Sequence, residues 1–307
     1  MPARQGLECE GGMRYPEYAR HMTRIIAALV AIFVGLAVVS GVAVVLVTPV
    51  AVQLVESAIG GVSDPPAERA DGPQTPTEYD GDFGEVQVFE VLADATLEPA
   101  ATGVAAEVWN QFVRMVGPDV AGESIIQFRA GDAPNSDTLA YVSQDQNPRY
   151  WVLAVNLATA DDPQLLVTTL IHEYAHVFSF DSRDFDRKAP SCDTLDLFEG
   201  CAADDSYLYE FYVAFWAGYT DAVDVENTDV DDAWSFYLAY EDDFVSDYAA
   251  TNLGEDFAES FMTFVMEDSF DGPSVAAQKL RFFTQYPELV DLRAHIRDEL
   301  GVELGLR

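Results

Sequence analysis

The fold is decided by residues 150–178, which read YWVLAVNLATADDPQLLVTTLIHEYAHVF. The first part, Tyr150–Leu157, is rich in β-branched and aromatic residues and predicts a strand. Asp162 and Pro163 supply a helix cap and a proline at the first helical position, which predicts a helix that continues to about Phe178. A strand followed directly by a long helix therefore forms the centre of the predicted fold.

Strands dominate before this centre and helices after it. Alternating apolar residues predict strands at Glu85–Leu92, Ser124–Ala130 and Thr138–Ser143. Helical spacing of apolar residues predicts helices at Pro99–Val116, Asp204–Tyr219, Asp231–Tyr240, Glu255–Met266, Ser274–Gln285 and Glu288–Leu300. Strands with one helix first, and then only helices, is the order of an α+β domain.

The charge of the chain excludes some classes of partner. Its 53 acidic and 16 basic residues give a formal net charge of −37. A protein that neutralises nucleic-acid phosphates, or that docks on anionic lipid through its surface charge, needs clustered Lys and Arg. No nucleic-acid partner is therefore expected. The hydrophobic share of 49% is ample for a packed core.

An uncharged apolar segment precedes the predicted domain. No residue from Ile25 to Val55 carries a charge, and 25–47 consists almost entirely of aliphatic residues and Gly. About 20 such residues cross a bilayer as a helix, whereas the apolar core of a cleavable signal peptide has about 7–15. We therefore predict a transmembrane helix at 25–47, with a signal peptide or a buried soluble helix as the alternatives.

The flanking charges predict the orientation of this helix. By the positive-inside rule, the basic flank stays in the cytoplasm, which makes residues 1–24 a cytoplasmic tail and places the rest outside the cell membrane. The basic residues of that flank are Arg4, Arg14, Arg20 and Arg24.

Two further segments complete the predicted organisation. The stretch 48–83 holds several prolines, glycines and acids, and its composition is typical of a flexible extracytoplasmic stalk. Residues 84–307 have the size of one domain. Within them, Cys192 and Cys201 can close a small loop as a disulfide outside the cell. A zinc site built from these cysteines is less favoured, because no nearby His or Cys completes a set of four.

A histidine pair lies inside the predicted central helix, in the segment His172-Glu173-Tyr174-Ala175-His176. Residues four apart share a helix face, so His172 and His176 can direct two imidazoles at one ion. Imidazole is a good ligand of Zn²⁺, and Glu173 is placed to act as general base on water at the open coordination position. A chance pair is the alternative, but the chain has only 4 histidines and the helical context favours a site.

A catalytic zinc needs a third protein ligand. One subclass of such helices continues to Gly and a third His, but Ser179 and Ser182 occupy those positions here. Of the remaining histidines, His21 precedes the apolar segment and His295 lies in a charged terminal helix, where packing or exposure is the simpler role. A carboxylate is therefore expected as the third ligand.

The candidate carboxylates lie in two places. Glu255 and Glu259 are four apart on a predicted helix, so one can bind zinc while the other accepts the ring N–H of a ligating histidine. Asn252 and Glu255 also fit a helix-capping pattern that requires no metal. Asp181 and Asp184, just after the histidine helix, are competing ligands. Spacing alone does not choose between these alternatives.

Two motifs together give the chain a resemblance to a known family. His172-Glu-x-x-His176, Tyr248 and the segment Glu255-Asp-Phe-Ala-Glu259 resemble the zincin metallopeptidases whose third ligand is glutamate, the gluzincins. They look like zinc-binding metallopeptidases of bacteria and the catalytic domain of lethal-factor type toxins. The resemblance implies a zincin-like domain in which Glu255 binds zinc and Glu259 supports the site from behind the ligands. It also implies that Tyr248 donates a hydrogen bond to the developing oxyanion.

The resemblance covers residues 150–262 and departs from the family pattern by a long insertion at 177–254. Because 255 − 176 = 79, the proposed third ligand follows the second histidine at an unusual distance. The insertion contains both extracytoplasmic cysteines and a run of aromatic residues.

These observations predict a membrane-anchored, extracytoplasmic zinc metallopeptidase that hydrolyses peptide bonds of a peptide or protein substrate. Partly from the resemblance, the strand Tyr150–Leu157 is expected to bind an extended peptide by strand addition. One alternative is a zinc-stabilised surface domain that binds or adheres without catalysis, although such a domain has no use for Glu173. The other is a surface protein in which the motif is accidental.

Overall fold

A six-stranded mixed sheet forms one layer of the molecule. The structure is a computed structural model that describes residues 75–306. The strands lie in the order β1-β2-β4-β6-β5, and the short β3 pairs with β2. They are β1 (Thr77–Asp80), β2 (Gly84–Val91), β3 (Leu97–Glu98), β4 (Ile125–Gly131), β5 (Ala140–Gln144) and β6 (Trp151–Asn156).

The strand predicted most strongly from the sequence is an interior strand. β6 pairs in parallel with β4 on one side and antiparallel with β5 on the other. Because both edges of β6 are occupied by neighbouring strands, it cannot accept a peptide by strand addition, and that expectation is wrong. The strand at this edge of the sheet is β5, which is antiparallel to its one partner.

The sheet extends upstream of residue 84. β1 pairs with β2 in antiparallel register, with Thr77 opposite Gln87 and Asp80 opposite Gly84. Asp80 is buried, and its carboxylate accepts hydrogen bonds from the backbone of Asp82 and Phe83 at 2.9 and 3.0 Å. The end of the segment that composition assigns to the stalk therefore contributes a strand to the folded part.

Helices make up most of the regular structure outside this sheet, and together with the mixed sheet they make the fold α+β, as predicted. In residues 75–306 the α-helices are α1 (Gly103–Val116), α2 (Pro118–Ser124), α3 (Pro163–Ser179), α4 (Tyr207–Phe211), α5 (Val230–Ala239), α6 (Leu253–Met266), α7 (Val275–Phe282) and α8 (Pro287–Leu300).

One face of the sheet and the helices enclose the main core. Phe128 and Leu153 on the sheet and Phe112 on α1 are completely buried in it. α3 packs against β5, α1 and α6, and α8 packs against α1. The opposite face of the sheet carries a smaller cluster that includes Val86 and Ala154. This arrangement holds α3, which carries both histidines, against the outer strand of the sheet.

Most predicted elements are shifted by one to four residues at an end, and two differ in the kind of structure that part of the segment forms. Residues 118–124, whose last residue was assigned to a strand, form α2, because Pro118 starts a helical turn. The predicted helix Asp204–Tyr219 is α-helical only as α4, and Tyr212–Trp216 continue with π-helical hydrogen bonds. The wider turn brings the buried Trp216 indole to the Asp256 carboxylate of α6, to which it donates at 2.8 Å.

The insertion after α3 begins with a small antiparallel sheet. Its strands are paired in the order β7-β9-β8, and Cys192 and Cys201 are joined by a disulfide with their Cα atoms 5.4 Å apart. The strands are β7 (Phe185–Asp186), β8 (Asp196–Leu197) and β9 (Gly200–Ala202).

Within residues 75–306, every helix is too short or too polar to cross a bilayer. The predicted transmembrane helix at 25–47 and the predicted cytoplasmic tail lie outside the described residues.

Candidate metal centre

Two helix starts position the candidate ligands. α3 begins as predicted, with the Asp162 carboxylate accepting from the backbone N–H groups of Gln164 and Leu165 at 3.2 and 3.1 Å. α6 begins at Asn252, whose side-chain oxygen accepts from the backbone N–H of Glu255 at 2.9 Å. The capping interaction predicted for Asn252 is therefore present. It leaves the Glu255 carboxylate free to point towards α3, against which α6 packs.

Three donor atoms from these helices converge on one point. His172 Nε2 lies 3.1 Å from His176 Nε2 and 3.0 Å from Glu255 Oε2. The third side of the triangle, from His176 Nε2 to Glu255 Oε2, is 3.4 Å. Among residues 75–306 this is the only group of three or more His, Cys, Asp and Glu side chains placed to hold a metal ion.

The geometry and chemistry of the triangle suit a cation. Tetrahedral coordination at about 2.0–2.1 Å places the ligand atoms about 3.3 Å from one another, close to the observed separations. Glu255 Oε2 is buried, and the ring nitrogens of the two histidines lie 3.0 and 3.4 Å from it. Buried groups that direct lone pairs at one another over such short distances are costly unless a positive charge, a proton or an ion, lies between them. The group of His172, His176 and Glu255 could therefore bind a metal ion.

A chain of hydrogen bonds fixes the orientation of His172. Its Nδ1 lies 2.9 Å from Glu259 Oε1, which makes Nδ1 the protonated nitrogen and leaves the lone pair of Nε2 facing the triangle. The other oxygen of Glu259 accepts a hydrogen bond from the Ser246 hydroxyl at 2.7 Å. Ser246 Oγ in turn accepts from the backbone N–H of Ala249 at 3.0 Å. Glu259 is only 3% exposed, so this carboxylate is not part of a solvated helix face.

The pKa values of His172 and Glu255 are shifted because these groups are buried close to one another. Burial lowers the pKa of His172, but the hydrogen bonds and charges of Glu255 and Glu259 outweigh it and hold this pKa well above its usual value. Burial likewise raises the pKa of Glu255, but the two histidines hold it far below its usual value. A positive charge between these groups is therefore strongly favoured, and a metal ion can take the place of the proton.

Glu173 lies beside the triangle with its carboxylate turned towards β5. The residue is 8% exposed. Burial raises the pKa of its carboxyl group, the charge of Glu255 adds to the rise, and His172, His176 and the backbone N–H of Val142 on β5 oppose it. The contact with Val142 connects a candidate base directly to the outer strand of the sheet.

Tyr248 lies next to His172 in the site. It lies in a 3₁₀ turn, Tyr248–Ala250, and its ring centroid is 5.9 Å from that of His172. Burial, followed by the charges of Glu255 and of the other two glutamates of the site, raises the pKa of its hydroxyl well above the usual value. Tyr248 therefore keeps its proton and can donate a hydrogen bond.

The competing candidates lie elsewhere. Asp181 is bound to Arg183, whose Nε donates to both carboxylate oxygens at 3.0 and 2.9 Å. Asp184 is not part of the three-donor group. His295 Nε2 lies 2.9 Å from the backbone oxygen of Arg114. Of the carboxylates that the sequence left open, the structure brings Glu255 to the histidines and places Glu259 behind His172.

A glycine permits the close approach of the two ligand helices. An added Cβ on Gly254 would lie 3.1 Å from two ring atoms of Phe180, the residue that ends α3. The Phe180 ring is in turn 6.2 Å from the ring of His176. Any larger side chain at position 254 would have to displace this ring, next to one of the donors.

Sequence reasoning missed two contributors to the site. Ser246 precedes Tyr248 by two residues, and serine before a short helical turn is a capping signal that could have drawn attention to it. The backbone N–H of Val142 has no sequence signal, because any residue other than proline supplies one.

Comparison of the chain with protein-family models, curated proteins and solved structures finds no match. The resemblance to zincins therefore rests on the two motifs and on the geometry of the residues they contain.

Proposed function

We propose that this chain is a zinc-dependent peptidase. The observation that carries the proposal is the convergence of His172, His176 and Glu255, with the buried Glu173 carboxylate beside them. Two imidazoles and one carboxylate are the protein ligands of a catalytic zinc that keeps one coordination position open. A purely structural zinc site has four protein ligands and no use for a neighbouring base.

The proposed chemistry divides between the ion and the side chains. A bound Zn²⁺ supplies Lewis acidity, which polarises a peptide carbonyl and makes water at the open position more acidic. Glu173 takes a proton from the attacking water and passes it to the departing amine. One carboxyl group can perform both steps, because it is a base in its charged form and an acid once it is protonated.

Tyr248 and β5 position the substrate in this proposal. The Tyr248 hydroxyl donates to the oxygen on which negative charge develops, a contribution of about 3 kcal/mol for one such donor. An extended peptide lies along β5, whose backbone reaches the site at Val142. Strand addition supplies affinity through main-chain hydrogen bonds and leaves the peptide's side chains to supply specificity.

The location of the enzyme is a separate proposal. The uncharged segment 25–47 anchors the chain in the cell membrane, with the peptidase domain on the extracytoplasmic side. Cys192 and Cys201 are oxidised to a disulfide, which is the form that an extracytoplasmic environment maintains. Cysteine labelling of intact cells with a membrane-impermeant reagent after reduction tests this location.

The activity is tested with the full chain and its Glu173→Gln variant, both purified in detergent without added metal. Bound metal is measured by mass spectrometry, and cleavage is followed on a mixed peptide library. We expect about one zinc per chain in both proteins. Turnover of the variant should fall by about 10²–10⁴, because the general base is lost while the ligands remain.

The outcomes separate the proposed peptidase from its alternatives. Zinc in both proteins with cleavage by neither favours the non-catalytic binding domain. A folded chain that neither contains zinc nor takes it up contradicts the site itself. Glu241→Gln, which makes the same change at an exposed position in another turn, is the control and should match the parent.

A further inference from the structure

Arg187 lies directly after β7, where the small sheet of the insertion meets the main sheet. Its guanidinium donates to the side-chain oxygen of Gln144, the last residue of β5. Its Nε also donates to the backbone oxygen of Glu199 at 3.2 Å. These two contacts fix the guanidinium at the end of the strand that borders the candidate metal centre.

Gln144 connects this position to the site. It follows Val142, whose backbone N–H contacts Glu173, by two residues on β5. Its side-chain nitrogen donates to the backbone oxygen of Phe180 at 3.1 Å. The Phe180 ring lies 6.2 Å from the ring of His176. Arg187 therefore contacts β5 directly at Gln144 and is connected to the helix side of the site through Gln144 and Phe180.

The charge of Arg187 is not neutralised by an ion pair. Both acceptors that it contacts, an amide oxygen and a backbone carbonyl, are uncharged. None of the ion pairs within residues 75–306 includes Arg187, although acids outnumber bases 53 to 16 in the chain. The nearby Arg183, by contrast, is paired with Asp181.

The Glu199 carboxyl group also interacts with this guanidinium, but burial disfavours its charged form. Burial and the neighbouring Glu226 raise the pKa of the Glu199 carboxyl group, while Arg187 and His176 oppose the rise. Arg187 itself is exposed to solvent. Its fork of N–H donors is suited to a planar carboxylate from outside the chain.

We propose that Arg187 binds a carboxylate of the peptide substrate, so that the enzyme prefers peptides with an acidic group a few residues from the cleaved bond. This inference rests on the proposed peptidase function and adds a substrate class to it. The carboxylate has two chemical sources, an Asp or Glu side chain and the free carboxyl terminus of the peptide. Both present the same planar group to the guanidinium.

The test compares cleavage by the zinc-loaded full chain with cleavage by its Arg187→Gln and Arg187→Glu variants. One arm uses peptides that carry Glu, Gln or Lys at each position around a fixed cleavage site. The other uses peptides with free or amidated carboxyl termini and no internal acid. Lys188→Gln is the matched control, because it removes the same charge from the next residue, whose side chain is also exposed.

We expect the parent to favour an acid over its amide by about tenfold in kcat/KM at one position, as for a charge-assisted hydrogen bond. Arg187→Gln should remove the preference, Arg187→Glu should reverse it in favour of Lys, and Lys188→Gln should keep it. The arm that shows the preference identifies the source of the carboxylate. Thermal unfolding midpoints equal to the parent's exclude a loosened insertion as the cause.

Three other results overturn the inference. A parent that cleaves peptides without preferring acids contradicts it and leaves the peptidase proposal intact. A preference for acidic peptides that persists in Arg187→Gln shows that another residue recognises the carboxylate. A zinc-loaded parent that cleaves no peptide overturns the peptidase proposal, and this inference falls with it.

Discussion

Consecutive residues of α6 belong to two buried polar clusters of opposite character. Glu255 faces two histidines, whose ring nitrogens lie 3.0 and 3.4 Å from its buried Oε2. Asp256 is completely buried with Lys279 of α7, whose Nζ lies 2.6 Å from Oδ2 and 3.9 Å from the centre of the Phe244 ring. The Trp216 indole donates to the same carboxylate at 2.8 Å.

The comparison separates a ligand site from a structural contact. The Asp256 cluster contains its own positive charge, so folding alone completes it. The Glu255 cluster has an excess of lone pairs, so it is completed only by a proton or a cation from outside. A buried network that is left open in this way, beside one that is closed, indicates that the opening has a use.

Breaking the closed cluster should have the largest effect on folding. Lys279→Ala leaves the Asp256 carboxylate buried without its counter-charge, and it should lower the free energy of unfolding by about 3–5 kcal/mol. Urea denaturation of the metal-free chain measures this. The double variant Asp256→Leu with Lys279→Met should recover most of the loss, since apolar residues of similar volume replace buried pairs well. A double variant as unstable as the single one contradicts this account.

Removing the open carboxylate should affect metal binding rather than folding. Structural zinc sites bind the ion with roughly 10–16 kcal/mol through four protein ligands, or about 2.5–4 kcal/mol for each ligand. Glu255→Gln should therefore weaken zinc affinity by about a hundred- to a thousandfold, while the unfolding of the metal-free chain changes little. Competition with a chelator measures the affinity. Loss of folding without loss of affinity would remove the distinction between the clusters.

The smallest of the three effects should come from Ser246. Ser246→Ala removes one hydrogen bond to Glu259, which orients His172, and such changes cost about 10–100-fold in metal affinity. Ser206→Ala is the control, because Ser206 also caps a helix but lies in α4, outside the site. In combination with Glu259→Gln, the Ser246 change should add almost nothing, since its effect passes through Glu259. Additive losses of metal affinity would show instead that Ser246 acts by stabilising the turn that contains it.

The sequence was informative wherever neighbours along the chain determine structure. The Asp162-Pro163 start of α3 and the histidine pair depend on residues within a few turns of one helix. The helix cap by Asn252 is local too. The α+β class follows from the order of such elements. These features were predictable because short-range hydrogen bonds and helix periodicity determine them without reference to the tertiary packing.

Contacts between distant segments were not predictable in the same way. Whether Glu255 caps its own helix or faces the histidines depends on how α6 packs on α3, across an interval of 79 residues (255 − 176). The spacing of β6 predicted a strand but not that both of its edges are paired. The Asp256–Lys279 pair has no sequence signal in a chain with 53 acids.

The position of Gly254 affects how related proteins could be recognised from their sequences. The two candidate ligand helices meet where Gly254 faces Phe180, and both of these residues lie within four positions of a candidate ligand. A search pattern with a fixed interval between the motifs would therefore pass over proteins built on the same plan. A better signature joins His-Glu-x-x-His to a small residue followed by Glu-x-x-x-Glu and leaves the interval free.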